Sequence, residues 1–313
     1  MTTALLFPGQ GSQSIGMGKD LAENFSAAKL VFDEVDEALG EHLSSLIFAG
    51  NIDDLTLTRN TQPALMAVSL AVTRALEQEM GEPISSQASL AAGHSLGEYS
   101  ALTALGAFDI STCARLLRLR GDAMQTAVPQ GVGAMAVLIG GTLEMVNELT
   151  HQAAQGQVCM LANDNSTEQQ VISGHKEAIE RAIVLAPTLG FKRALPLKAS
   201  APFHSSLMAP AALAMQEAFE KTTFNPLALS VVPNVTAEIC SESNGFRTLL
   251  VTQVAGQVRW RESLHFMAAH GVTHFLELGA GKVLSGLSKR TVPDIQTQAI
   301  GTVDEMKAFL AGS

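Results

Sequence analysis

The 313-residue chain is 47% hydrophobic and only 16% charged, which excludes a disordered segment and favours helices packed on a largely buried sheet. Its formal net charge of -10 offers a nucleic-acid backbone no electrostatic footprint, and an acidic protein partner would need a local basic patch to dock. No apolar run approaches the roughly 20 residues of a bilayer-spanning helix, and the chain enters a strand at once without a basic region or cleavage site, so a cytoplasmic enzyme with no membrane partner is expected.

In chain order, residues 3–7 read as a short apolar strand running into a glycine-rich turn, Pro8-Gly9-Gln10-Gly11-Ser12-Gln13. A helix is predicted over 21–39. Residues 62–80 predict a strongly apolar helix, with Pro63 in its first turn and Gly81 just past its end. Residues 89–93 then form a short buried strand, 98–107 the helix leaving it, and 229–234 and 273–278 further short strands. This alternation implies an α/β fold with a mostly parallel sheet.

The rhythm changes between residues 131 and 198. Strands at 132–139, 158–163, 169–173 and 192–197 alternate with helices at 142–153 and 176–189, giving the β-α-β-β-α-β order of a ferredoxin-like unit. The expected organisation is a large catalytic domain from 1–130 and 199–313 with a small subdomain, 131–198, inserted into it. A ligand cleft belongs where the two meet. Cys113, Cys159 and Cys240 are far apart, odd in number and without metal-ligand spacing, so they read as reduced, mostly buried thiols and no metal is expected.

Gly93-His94-Ser95-Leu96-Gly97 fits G-x-S-x-G, with an apolar strand before it and a helix after it. The flanking glycines allow a sharp turn that pushes the Ser95 hydroxyl into the open. The helix N-terminus beneath supplies backbone N–H groups and a positive dipole end for an oxyanion. Such sites use the N–H after the serine, here that of Leu96, with one from another loop. The glycines of the Gly9-Gln10-Gly11 turn let a backbone come close to a ligand. That turn matches neither nucleotide-binding glycine pattern, so no nucleotide site is expected.

Ser95 needs a base within hydrogen-bond reach. His42, His151 and His175 lie on surface-like segments, and His94 should point away from its neighbour. Two choices remain from the residues alone. His204 follows the last strand of the small unit, where the chain re-enters the large domain, whereas His265, His270 and His274 lie late in the chain, where a plain α/β-hydrolase keeps its base.

The helix predicted over 110–127 carries three arginines. A wheel places Arg120 within the apolar stripe of Cys113, Leu116, Leu117, Ala123, Met124 and Ala127, with Arg115 and Arg118 on the polar side. An inward guanidinium must be paired. Its partner is either a protein carboxylate, Glu98 or Asp122, or the carboxylate of a substrate.

Phe7-Pro8-Gly9-Gln10-Gly11-Ser12-Gln13, Thr61-Gln62-Pro63-Ala64, Gly93-His94-Ser95-Leu96-Gly97-Glu98, Leu119-Arg120-Gly121, Ala201-Pro202-Phe203-His204-Ser205 and Glu277-Leu278-Gly279 occur together in this order. The chain thereby resembles the malonyl-CoA:acyl carrier protein transacylases from residue 3 to about residue 300. The resemblance implies an α/β-hydrolase-like large domain with a ferredoxin-like small one, Ser95 as nucleophile and His204 as its base. It also implies a backbone carbonyl of Gln253 as the orienter of that base, Arg120 as the clamp on the malonyl carboxylate, and Leu96 and Gln10 as oxyanion donors. The implied reaction is ping-pong transfer of malonyl from malonyl-CoA to acyl carrier protein for fatty acid biosynthesis, without a cofactor.

Other readings of the same residues are a malonyl transferase of malonate decarboxylase or of a polyketide pathway, a serine esterase or thioesterase, and a non-catalytic carrier-binding module. An esterase would use a late histidine and leave Arg120 without a purpose. A module would have no need of Ser95, His204 and Arg120 together. For carrier docking, Lys192 and Arg193 form the candidate basic patch.

Overall fold

The computed structural model describes residues 2–312. Five strands, β1 (Thr3–Phe7), β2 (Leu90–Gly93), β7 (Ser230–Val231), β8 (His274–Leu278) and β9 (Gln296–Ile300), form one sheet in the order β7-β2-β1-β8-β9. Every pairing in it is parallel. Parallel strands need covered faces, and the alternation along β1 shows both covered. Leu5 and Phe7 join the core built on the Thr58–Met80 helix, while Ala4 and Leu6 pack with Trp260, Leu264, Phe275 and Leu287 on the other side.

The second sheet is antiparallel, with β3 (Gly133–Ile139), β4 (Cys159–Ser166), β5 (Gln169–His175) and β6 (Arg193–Pro196) in the order β4-β5-β3-β6. With the helices Leu143–Ala154 and Lys176–Leu185 it has the ferredoxin-like order. Ala136 and Leu138 of β3 face those helices. Met135 and Val137, one residue out of phase, line a cavity between the two sheets. Strand β4 is tied to the helix Trp260–Ala269 and the loop before it: Val258 N–H donates to the Ala162 carbonyl (2.8 Å), Asp164 N–H donates to the Val258 carbonyl (2.9 Å), and Arg261 pairs with buried Asp164 at 2.8 Å.

Several local expectations change. The helix predicted over 21–39 is two, Lys19–Asn24 and Ser26–Leu39, because Phe25 takes an extended conformation (φ -126°, ψ 121°) and caps both. Pro63 sits at the sixth position of the Thr58–Met80 helix, beyond its first turn. The helix predicted over 98–107 stops at Ala104, and the strand at 229–234 keeps only Ser230 and Val231. Of the cysteines, Cys113 is buried while Cys159 and Cys240 are half-buried, and all three are free.

Candidate active site

The C-terminal ends of the parallel strands converge on one place. Phe7 pairs with Gly93 there, so the turn after β1, carrying Gly9 and Gln10, lies beside the turn after β2, carrying Ser95. The glycines of G-x-S-x-G are steric requirements: a Cβ on Gly93 would sit 1.9 Å from the Gly97 carbonyl oxygen, and one on Gly97 would sit 2.2 Å from that of Phe7. Ser95 itself has φ 53°, a left-handed conformation that costs a non-glycine residue energy. Its N–H donates to Asn234 Oδ1 (2.7 Å), and Asn234 Nδ2 donates to the Gly93 carbonyl (2.6 Å), so one amide from the loop after β7 ties down both sides of the turn.

His204 also has a positive φ, 55°, and its Nε2 lies 2.8 Å from Ser95 Oγ. Its Nδ1 faces the carbonyls of Gln253 (2.9 Å) and Gly256 (3.1 Å), which can only accept, so Nδ1 carries the hydrogen and Nε2 presents a lone pair to the serine hydroxyl. Burial, with the neighbouring Arg120 charge, pushes the His204 pKa down to about 3 and keeps the ring neutral. The late histidines do not reach the site. His265 and His270 are exposed, and His274 pairs with Thr3 at the N-terminal end of the strands, opposite to Phe7 and Gly93.

Arg120 is 1% exposed. Neither protein carboxylate considered for it forms an ion pair with it: Asp122 pairs with Arg59 at 2.9 Å, and Glu98 is reached only through the Gln253 side chain. Its donors go to neutral oxygens, Nη1 to Gln62 Oε1 (2.7 Å) and Nη2 to Gln253 Oε1 (2.9 Å) and Ser95 Oγ (3.2 Å), while Nε has no partner. The Tyr99 ring lies beneath it, 5.5 Å from centroid to Cζ. Arg118 pairs with Glu41 at 2.7 Å and Arg115 is exposed, as the helical wheel places them.

Gln253 is buried and does more than offer its carbonyl to His204. Its Nε2 donates to Glu98 Oε2 (3.0 Å) and the Ser95 carbonyl (3.0 Å), so its amide braces the nucleophile turn and Arg120 together. Gln62, Asn234 and Gly256 are participants that sequence reasoning missed. Gln62 stands in the quoted Thr61-Gln62-Pro63-Ala64 motif, and that was the available signal.

Ser95, Leu96, Gln10, Arg120 and His204 all line the cavity between the sheets, about 580 Å³ in volume. Neither the Leu96 nor the Gln10 backbone N–H has an acceptor among the described residues. Lys198, Lys282 and Arg290 also line it. The helix carrying Arg290, Val283–Thr291, is held by buried Glu277, whose carboxylate accepts from the N–H groups of Leu284 (3.0 Å) and Ser285 (2.7 Å). Lys192 and Arg193 are exposed at the start of β6, outside this lining. No cluster of His, Cys, Asp or Glu among the described residues could hold a metal ion, and no helix is long and apolar enough to cross a membrane.

The family model described as "Acyl transferase domain" matches residues 4–308. The malonyl CoA-acyl carrier protein transacylase of Bacillus subtilis (strain 168) is 45% identical over 298 residues, 95% of this chain and 92% of that protein. Among solved structures, the acyl-carrier-protein S-malonyltransferase of Bartonella henselae superposes with a TM-score of 0.97 at 49% identity, covering 100% of this chain and 99% of the other. A malonyl-transacylase solved in complex with a type II PKS acyl-carrier protein gives 0.96 at 42% identity, covering 100% of both chains. With Ser95, His204 and Arg120 gathered on a two-sheet α/β frame and these matches running nearly its full length, the chain belongs to the malonyl CoA-acyl carrier protein transacylases of the acyl transferase family.

Proposed function

We propose that this enzyme transfers malonyl from malonyl-CoA to the phosphopantetheine thiol of acyl carrier protein, for fatty acid biosynthesis, through a malonyl ester on Ser95. The observation that carries the reading is Arg120, a buried guanidinium with no carboxylate of its own, 3.2 Å from the nucleophile oxygen. A malonyl group on Ser95 places its free carboxylate one methylene beyond the ester carbonyl, within reach of that cation.

His204 Nε2 takes the Ser95 proton as Oγ attacks the thioester carbonyl. The Leu96 and Gln10 N–H groups receive the oxyanion, and the tetrahedral adduct collapses as the coenzyme A sulfur leaves with the proton from His204. Acyl carrier protein then repeats the sequence in reverse, its thiol giving up a proton to His204 as the sulfur attacks the ester. The carbonyls of Gln253 and Gly256 hold the imidazole in its reactive tautomer, in the place a carboxylate occupies in a Ser-His-Asp triad. This chemistry calls on no cofactor. We assign residues 131–198 to the small subdomain that closes the site, 1–130 and 199–313 to the catalytic one, and Lys192 and Arg193 to carrier docking. Three free thiols fit a cytoplasmic setting.

The test is intact mass after mixing with malonyl-CoA. Wild type gains one malonyl that passes to carrier protein, and Ser95→Ala gains none and turns nothing over. Rapid loss of the adduct to water without transfer would favour a hydrolase, and normal turnover by Ser95→Ala would end the proposal.

A further inference from the structure

Glu98, the residue after the nucleophile motif, is 0% exposed. Its Oε2 accepts from the Asn234 N–H (2.9 Å) and Gln253 Nε2 (3.0 Å), while its Oε1 is buried without a partner. Gln253 stands between it and Arg120, with its Oε1 on the arginine (2.9 Å) and its Nε2 on the carboxylate. This amide cannot be reversed, because every group around Nε2 is an acceptor and the group facing Oε1 is a donor.

We propose that Glu98 is the charge-balancing residue of the site, ionised while Arg120 has no carboxylate to bind and taking up one proton from solvent when a malonyl carboxylate pairs with Arg120. The inference rests on the malonyl reading above. Cation and anion, both buried and one amide apart, sum to zero. A substrate carboxylate adds a second negative charge to one positive, and two buried anions around one cation resist joint ionisation. The proton has a place to go: on Oε1 it breaks no hydrogen bond and leaves both bonds to Oε2 intact.

Burial has already raised the Glu98 pKa to about 7, so protonation near neutrality asks little further change. The other titratable or charged groups that face it are Arg120, Tyr99 on its own helix, and the Cys240 thiol from the loop after β7. Burial holds Tyr99 and Cys240 in their neutral forms, which leaves Glu98 as the group that responds. The acylation itself is proton-neutral, since the serine proton leaves on the coenzyme A thiol. Net uptake therefore reports Glu98. It acts through Gln253 and Arg120 as a positioning residue, and its protonation favours carboxylated acyl groups over neutral ones.

The experiment is a single turnover with malonyl-CoA and no carrier, in weak buffer with a pH indicator at about pH 8, where most of Glu98 starts ionised. Adduct formation is followed by intact mass. Wild type should take up close to one proton per malonyl adduct, and Glu98→Gln none; both release the same thiol, so their difference isolates Glu98. Uptake should fall towards zero at about pH 6, and by linkage the kcat/KM ratio for malonyl-CoA over acetyl-CoA should rise about tenfold as pH falls through 7 in wild type but not in Glu98→Gln.

An adduct formed without uptake, or equal uptake in Glu98→Gln, overturns the proposal. Absence of any malonyl adduct sinks the malonyl reading instead. Should Glu98→Gln fail to fold, infrared difference spectra of wild type with carboxyl-¹³C-malonyl-CoA decide the matter. A new protonated-carboxyl band that ignores the label is expected, and its absence is fatal.

Discussion

Arg120 separates carboxylate recognition from general catalysis. Its guanidinium touches Ser95 Oγ, Gln62 and Gln253, yet none of these neutralises it. Arg120→Ala should cost malonyl-CoA a charge-assisted pair, on the order of 1.5–3 kcal/mol in kcat/KM. Acetyl-CoA, which never makes the pair, should lose little or gain, so the ratio between the two substrates collapses while Ser95 is still acylated. An equal fall for both in a protein that melts normally would remove Arg120 from the role. His204 makes a second prediction. With its pKa held near 3 rather than the ordinary 6.5, the neutral base persists as pH drops, so acylation should not decline through the range where a free imidazole protonates. A kcat/KM profile losing activity with an apparent pKa near 6.5 contradicts that. These two residues were legible in the sequence by different means. The helical wheel turned Arg120 into the core, and the Ala201–Ser205 motif singled out His204 once the family resemblance was added. Gln62, Asn234 and the Gly256 carbonyl were not legible, because an amide or a backbone oxygen gains meaning only when folding brings three separate elements onto one turn.

At the scale of elements, the strand-turn-helix around Ser95 depends on two backbones passing where no side chain fits. At Gly97 a methyl would strike the Phe7 carbonyl oxygen, part of β1, rather than a side chain that could swing aside. Gly97→Ala should therefore push the turn away from β1, at a cost of about 1–3 kcal/mol in stability, and abolish the Ser95 adduct while circular dichroism still shows a folded protein. Full acylation by this variant would show that the turn tolerates displacement. The ferredoxin-like unit was readable to within a few residues, because its short apolar strands are separated by turn residues and its helices have apolar faces. β9 has no such pattern: Gln296, Thr297 and Gln298 are polar, and only its pairing to β8 makes Gln296–Ile300 a strand. Phe25 hid the break in the first helical segment for the opposite reason, since an apolar residue in helical phase gives no sign that its backbone will be extended.

Over the whole molecule, a chain of net charge -10 must still receive a carrier at the cleft between its two sheets. Apart from Arg120, the cations considered near that cleft fall into two groups. Lys198, Lys282 and Arg290 line the cavity itself, where the coenzyme A donor also has to enter, whereas Lys192 and Arg193 lie exposed at the start of β6, outside it. Residues 197–199 just beyond β6 line the cavity, so a partner resting on β6 would have its prosthetic arm directed inward. Lys192 is loosely held, its Nζ 3.9 Å from Glu168 with both side chains mostly exposed, and little is lost by re-pairing it with a partner's carboxylate. Charge reversal at both positions, Lys192→Glu with Arg193→Glu, should raise KM for carrier protein several-fold and flatten its dependence on salt, because rim charges act mainly on encounter. Self-acylation by malonyl-CoA should be unchanged, since that step does not involve the carrier. Reversal at Lys198 and Lys282 is the contrasting case and should impair both half-reactions. If the carrier KM is unaffected by the β6 pair but rises with the cavity pair, the carrier is held at the mouth of the cleft by the same cations that meet coenzyme A, and β6 is an ordinary solvated strand end.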